Sequence, residues 1–521
     1  MEQIHSFIAG AVDVLAAILV VLLGLLIIAV VVVYVMDVRQ TKTALLRNYP
    51  VIGHFRYFFE HLGEFFRQYF FALDREELPF NRAQRSWAYR AAKNLSNTVA
   101  FGSTKDLRKT GAVMFVNSAF PVLETEAVPP AAVTIGPYCR EPYTTDALVC
   151  ISGMSYGALS RPAIEALSMG AAQAGIWMNT GEGGLSPYHL QGGCDIVFQI
   201  GTAKNGVRDS EGNLDEQRLR AVAEHKQVKM FEIKLSQGAK PGKGGILPAA
   251  KVTEEIAAIR NIPVGQAALS PNRHLDVKTN ADLLDLIARV RNVTGKPVGF
   301  KVVISDPDWL DELFTEINQR GDESAPDFIA VDSADGGTGA APLALIDDMG
   351  LPLRESLPML VDKLEAYGLR KRVKVMASGK LVTPADVAWA LCLGTDFCLT
   401  ARGFMFSLGC IQALQCNKNT CPTGVTTHDP DLQKGLVPEA KKDRVAHFAL
   451  NLVHEVEVIA HSCGVQEPRQ LTRRHARVVM DNTLSVSLDE LYRHRGADTN
   501  RLSQGRIKQD AELQPSTAEI S

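Results

Sequence analysis

The chain has 521 residues, enough for one large domain with attachments or for two to three smaller domains. Apolar residues make up 46% and charged residues 22%, the balance of a folded protein with a substantial core. A net charge of -3 without basic excess argues against a nucleic-acid partner, and nine cysteines are too few for a disulfide scaffold.

The first 13 residues read as a short tail. Val14 to Met36 then form an uncharged stretch rich in Val, Leu and Ile. At ~1.5 Å per residue it matches a hydrocarbon core of ~30 Å, and it is too long for the apolar part of a secretion signal. Glu2 and Asp13 precede it, and Arg39, Lys42 and Arg47 follow it. The positive-inside rule places the N-terminus outside and the remaining chain in the cytoplasm, as in a single-pass protein of a bacterial cell membrane. Residues 37–135 form a collar. Its segment 52–73 carries Phe55, Tyr57, Phe58, Phe59, Phe65, Phe66, Tyr69, Phe70 and Phe71, interleaved with Arg56, Glu60 and Arg67. Such a helix lies in the membrane interface or packs its aromatic face on the main domain.

From about residue 136 to 487 one pattern repeats. Apolar runs at 147–153, 175–181, 195–201, 229–235, 297–303, 327–333, 372–378 and 396–401 each end in polar or glycine-rich residues, and helical stretches follow. Continuous apolar runs of this kind predict parallel strands buried on both faces, and eight such units predict an α/β fold, a closed (β/α)8 TIM barrel. The active site of such a barrel sits where its strands end. Residues 440–464 show helical spacing, with Val445, Phe448, Leu452, Val456 and Ile459 on one face. Residues 488–521 are polar and read as a disordered tail.

The chemistry-bearing residues gather at those strand ends. Ser378-Gly379-Lys380 and Ala401-Arg402-Gly403 end the seventh and eighth runs, where barrels commonly hold a phosphate. Lys301 ends the fifth run, where a cation faces the barrel mouth and can stabilise the negative N1/O2 edge of a reduced flavin. Glu182 lies among glycines in Asn179-Thr180-Gly181-Glu182-Gly183-Gly184, open to a ligand and able to manage protons. Gly238 to Gly245 resembles a nucleotide loop only superficially, because the spacing is one residue short and Gly244 follows Lys243. Lys240, Lys243 and Arg260 suggest carboxylate recognition instead. Cys410, Cys416 and Cys421 are spaced C-x5-C-x4-C-P. Zinc sites want four ligands, whereas three local thiolates, kept reduced in a cytosolic compartment, suit a three-iron cluster. The other six cysteines sit in apolar surroundings and read as small core residues.

Residues 137–465 resemble the synthase domain of glutamate synthases, through SGMSYGALS, NTGEGG, EIKLSQGAKPGKGG, VDSADGGTGAAP, ASGK and GC-x5-C-x4-CPTG. The resemblance implies an FMN-binding barrel that reduces an imine of a 2-oxo acid, with a [3Fe–4S] cluster on Cys410, Cys416 and Cys421. It implies FMN contacts at Met154, Ser155, Gln199, Lys301, Asp335, Gly336, Gly337, Gly379 and Arg402, with Lys380 in the same phosphate turn. It implies that Glu182, Lys240 and Arg260 handle the 2-oxo acid and its imine. The N-terminal span and collar look like a single-chain, membrane-anchored subgroup. Several features depart from the family. No amidotransferase nucleophile or dinucleotide-binding unit is evident, so ammonia or an amine and an outside electron source, a ferredoxin-like protein or a membrane carrier, are expected. Ile246 stands where glutamate synthases usually carry a Gln, and Ser270 to His274 differs from the usual string. Three readings stay open: imine reduction to an amino acid, amine or amino-acid oxidation feeding a quinone or another carrier, and a non-catalytic electron relay. A homo-oligomer is compatible with all three.

Overall fold

The computed structural model describes residues 2–492, which separate into two compact units divided between Ala83 and Gln84. In the first, one helix runs over Glu2–Arg39, so the expected tail is helical where described and the apolar stretch is its middle. By length and composition it could cross a membrane, a test that a secretion signal also passes. Its buried Asp37 accepts hydrogen bonds from Val51 N at 2.8 Å and His54 Nε2 at 2.9 Å, which fixes the turn after it. The aromatic segment forms a helix over Gly53–Phe66 that widens into a π turn over Arg67–Phe71, and Phe55, Phe58, Phe59, Phe70 and Phe71 are exposed.

The second unit is built on a closed parallel barrel of eight strands: β1 Val149–Ile151, β2 Met178–Asn179, β3 Ile196–Ile200, β4 Val228–Lys234, β5 Val298–Val302, β6 Phe328–Asp332, β7 Lys374–Ser378 and β8 Phe397–Thr400. Seven lie inside predicted runs, and β4 begins one residue before its run at 229–235. β8 closes against β1, with Leu399 beside Cys150. Trp177, Phe198, Phe231, Phe300, Phe328 and Phe397 are fully buried. Burying one such side chain is worth roughly 1.5–3 kcal/mol, against a net of about 1 kcal/mol for a ladder hydrogen bond, so packing dominates the barrel's stability. The helix Pro438–Ser462 buries Val445, Phe448, Leu452 and Val456, with Ile459 half-buried. It packs along the helix Arg161–Ala174, where a Cβ on Gly170 would meet Val445 Cβ at 2.5 Å; glycine permits that approach.

Residues 84–135 cluster with the barrel, although the sequence groups them with the collar. Val113–Phe115 pairs antiparallel with Ala476–Val479, which in turn pairs with Ser485–Ser487. Leu488 and Tyr492 are buried, so the first residues of the expected tail are packed; the rest of that tail lies outside the described residues. All six scattered cysteines are buried and free.

Candidate active site

The charged centre lies where β2 and β4 end. Alternation along β4 places Glu232 and Lys234 on the same face. Glu182, in the short 3-10 turn Gly181–Gly183 after β2, accepts from Lys234 Nζ at 3.0 Å through Oε1. A Cβ on Gly245 would stand 2.4 Å from Glu182 Oε1, and one on Gly201 would stand 2.6 Å from Glu182 Cβ, so two glycines make room for this carboxylate. Burial pushes the Glu182 carboxyl upward, but Lys234, Lys240 and Arg260 outweigh it and hold the group below the usual carboxylate range. Lys240 is buried nearby; burial and the Lys234 charge lower its ammonium to about 8 against the pull of Glu182. Lys234 also donates to Gln237 Oε1 at 2.8 Å, and Gln237 Nε2 donates to Gly337 O at 2.7 Å, joining the loops after β4 and β6.

Arg260 comes to the same place, where its charge acts on Glu182. It is buried, and Nη2 donates to Tyr156 O at 3.0 Å and to Ser155 Oγ at 3.4 Å. It therefore braces the loop after β1, while its Nε has no partner among the described residues. Met154 is buried in that loop, where its carbonyl faces His189 Nε2 at 3.4 Å.

The expected flavin contacts converge around the barrel mouth. Asn179 Nδ2 and Gln199 Nε2 both donate to Glu232 Oε1, at 2.9 and 2.6 Å, so the Gln199 amide nitrogen is committed to a carboxylate. Lys301 Nζ lies 3.1 Å from Asp332 Oδ2; burial disfavours its charge, but Asp332 and Glu232 raise its pKa overall. Asp332 Oδ2 accepts from Gly238 N at 3.1 Å. A Cβ on Gly336 would meet Asp332 Oδ1 at 2.5 Å, and one on Gly337 would meet Arg402 Nε at 2.8 Å. Asp335 Oδ2 accepts from Leu353 N at 3.2 Å, and Lys380 Nζ stands 3.7 Å from its Oδ1. Arg402 Nη2 donates to Asp335 O at 2.5 Å, and burial lowers its pKa to about 10. The half-buried N–H groups of Gly337, Gly379 and Lys380 donate to no acceptor among the described residues. Open backbone donors beside two cationic side chains fit the phosphate of a flavin mononucleotide.

Cys410 and Cys416 are half-buried and Cys421 is buried, all as free thiols. Burial pushes the Cys410 thiol up to about 12, and Cys416 and Cys421 add to that rise. Among the described residues no three His, Cys, Asp or Glu side chains are gathered as for a single metal ion. Three cysteine thiols on one loop are the donor chemistry that iron–sulfur clusters use.

Sequence reasoning passed over Lys234, Glu232, Asp332 and Lys251. The signal was present for the first three, as charges set into apolar strand runs.

The conserved region in glutamate synthase matches residues 96–466. The chain belongs to the glutamate synthase family. It is 40% identical to a glutamate synthase large subunit-like protein, YerD, of Bacillus subtilis (strain 168), over 88% of this chain and 94% of that protein. It is 34% identical to an archaeal-type glutamate synthase [NADPH] of Thermotoga sp. (strain RQ2), over 61% of this chain and 59% of that protein, so it spans about three fifths of that longer relative. Among solved structures, a mutant flavocytochrome b2 with pyruvate bound superposes with a TM-score of 0.46 at 14% identity, over 84% of this chain and 90% of that one. That likeness is too distant to bear on function. Within the glutamate synthase family, the site above occupies the C-terminal mouth of the barrel, where (β/α)8 enzymes do their chemistry.

Proposed function

We propose that the protein is an FMN and iron–sulfur oxidoreductase that reduces the imine of a 2-oxo acid and ammonia, or an amine, to an amino acid. The observation that carries this reading is the Glu182–Lys234 pair, with Lys240 beside it, at the mouth that also presents the open donors of Gly337, Gly379 and Lys380. Bound there, FMN supplies hydride transfer and a [3Fe–4S] cluster on Cys410, Cys416 and Cys421 supplies single electrons.

Lys240, as an ammonium, binds the substrate carboxylate. Glu182, held ionised by its cationic neighbours, orients Lys234 and accepts or returns the proton at the imine nitrogen. Asn179 and Gln199 are fixed by Glu232 and shape the adjoining wall. Lys301, held charged by Asp332, keeps positive potential on the cofactor side. Arg260 positions Ser155 and Tyr156 through Nη2 and adds positive charge beside Glu182, where it helps to receive the substrate carboxylate. Lys380, Arg402 and the Gly337 and Gly379 amides hold the cofactor phosphate.

The helix Glu2–Arg39 supports a single-pass tether with the catalytic unit in the cytoplasm, which favours a membrane carrier over a soluble ferredoxin-like protein as the electron partner. It also gives a second reading its footing, the oxidation of an amine with electrons passed to a quinone. Two experiments separate them. The chemically reduced protein, kept free of oxygen, is mixed with 2-oxo acids and ammonium or amines, and the oxidised protein is mixed with amino acids and a quinone analogue. Flavin reoxidation in the first and silence in the second support imine reduction; the reverse overturns it.

A further inference from the structure

Lys251 is the most deeply buried lysine outside the charged centre, with 2% of its surface exposed, and neither reading above uses it. It ends the 3-10 turn Ala249–Lys251, in the segment that leads from Lys240 to Arg260. A buried ammonium is costly unless all three of its donors are satisfied. Here Nζ reaches three carbonyls: Ala158 O at 3.3 Å, Cys416 O at 2.8 Å and Thr426 O at 2.5 Å.

Those carbonyls come from two other segments. Ala158 lies in the loop after β1 that carries Met154 and Ser155, next to the expected flavin. Cys416 and Thr426 belong to the cysteine loop. A single side chain thus joins the substrate-side segment, the flavin-side loop and the cysteine loop at one point. An aliphatic side chain of the same length would leave these three carbonyls without their donor, at a cost in stability. Such a cost is tolerated only where the alternative arrangement is worse, and no apolar substitute can tie three irregular backbones together.

We infer that Lys251 is a positioning residue that fixes the cysteine loop against the flavin-side loop, and so sets the geometry in which Cys416 meets its iron. The inference rests on the cluster reading above. The ammonium touches the peptide carbonyl of a ligand residue and not the metal, so it belongs among the outer partners that orient ligands.

The test compares the full-length protein with Lys251→Met and with Lys251→Gln, which keeps two donors. Iron content, the electron paramagnetic resonance line shape of the oxidised protein, iron release to a chelator, and hydrogen exchange of the 412–427 amides are measured. The inference predicts that Lys251→Met releases iron about 10- to 100-fold faster, the range for lost outer partners. It also predicts an altered line shape and faster exchange over 412–427, with Lys251→Gln intermediate. Should Lys251→Met not fold, Lys251→Gln still has to show the shifted line shape and faster exchange. Unchanged line shape, release and exchange in the folded variant overturn the inference. Wild-type protein without iron overturns the cluster reading; in that case unchanged exchange over 412–427 overturns the loop-fixing role as well, and faster exchange upholds it.

Discussion

Lys234 Nζ lies 3.0 Å from Glu182 Oε1, and the two residues reach each other from the ends of different strands of the barrel. Two consequences follow from the neighbours of this pair. Net positive surroundings keep Glu182 ionised despite its burial, and the absence of side chains at Gly201 and Gly245 is what lets its carboxylate sit there.

Replacing Glu182 by Gln keeps the volume and removes the charge. The account predicts a fall in turnover of about 100- to 10,000-fold, the contribution of a positioned acid or base, together with a lower melting temperature at neutral pH, because the ionised carboxylate that Lys234 stabilises is gone. Steady-state rates beside a thermal melt check it; a variant with full turnover removes Glu182 from the chemistry.

The pH dependence of stability should carry the same signature. The Glu182 pKa is lowered in the fold, so its contribution is present above the ordinary value of 4.5 and is lost as pH falls through the folded value. Acidification below 4.5 is therefore expected to cost the wild type more stability than Glu182→Gln. Equal losses in denaturant titrations at several pH values would contradict this.

Gly245→Ala offers a subtler probe. Its methyl group would stand 2.4 Å from Glu182 Oε1, the movable end of a side chain, so the fold adjusts by pushing the carboxylate away from Lys234. The variant is expected to fold and to lose activity much as Glu182→Gln does. Wild-type rates in folded Gly245→Ala would show that the pair tolerates displacement.

Lys240 titrates at about 8, so its hold on a substrate carboxylate should weaken as pH rises through that value. The expected profile of kcat/KM for the 2-oxo acid bends downward there, and Lys240→Arg, whose guanidinium stays charged, should carry the plateau to higher pH. A profile that keeps the same bend in Lys240→Arg assigns it to another group.

Cys416→Ser is expected to abolish the cluster signal in electron paramagnetic resonance. A spectrum identical to wild type would remove Cys416 from the ligand set.

The barrel was legible because parallel strands buried on both faces read as continuous apolar runs. The run ending at Gly181 shows the limit of that signal, since only Met178 and Asn179 pair as β2. The sheet joining Val113–Phe115 to Ala476–Val479 was not legible: strands of three and four residues carry no measurable period, and the two lie more than 350 residues apart. At the site, single residues such as Glu182 and Lys240 stood out by type and setting. Their partnerships did not, because the Lys234 to Glu182 and Lys251 to Cys416 contacts depend on how loops fold over the barrel mouth. Arg260 is the instructive case, as its charge suggested a carboxylate and its nearest acceptors are Tyr156 O and Ser155 Oγ.

The most direct measurement is a single turnover without oxygen. Chemically reduced protein is mixed with 2-oxoglutarate or another 2-oxo acid and isotopically labelled ammonium, and the flavin absorbance and the products are followed together. The account predicts that the flavin reoxidises only when both reactants are present, and that labelled amino acid forms in step with the electrons lost. Reoxidation that yields no labelled amino acid, or none with any 2-oxo acid and ammonia or amine, would contradict it.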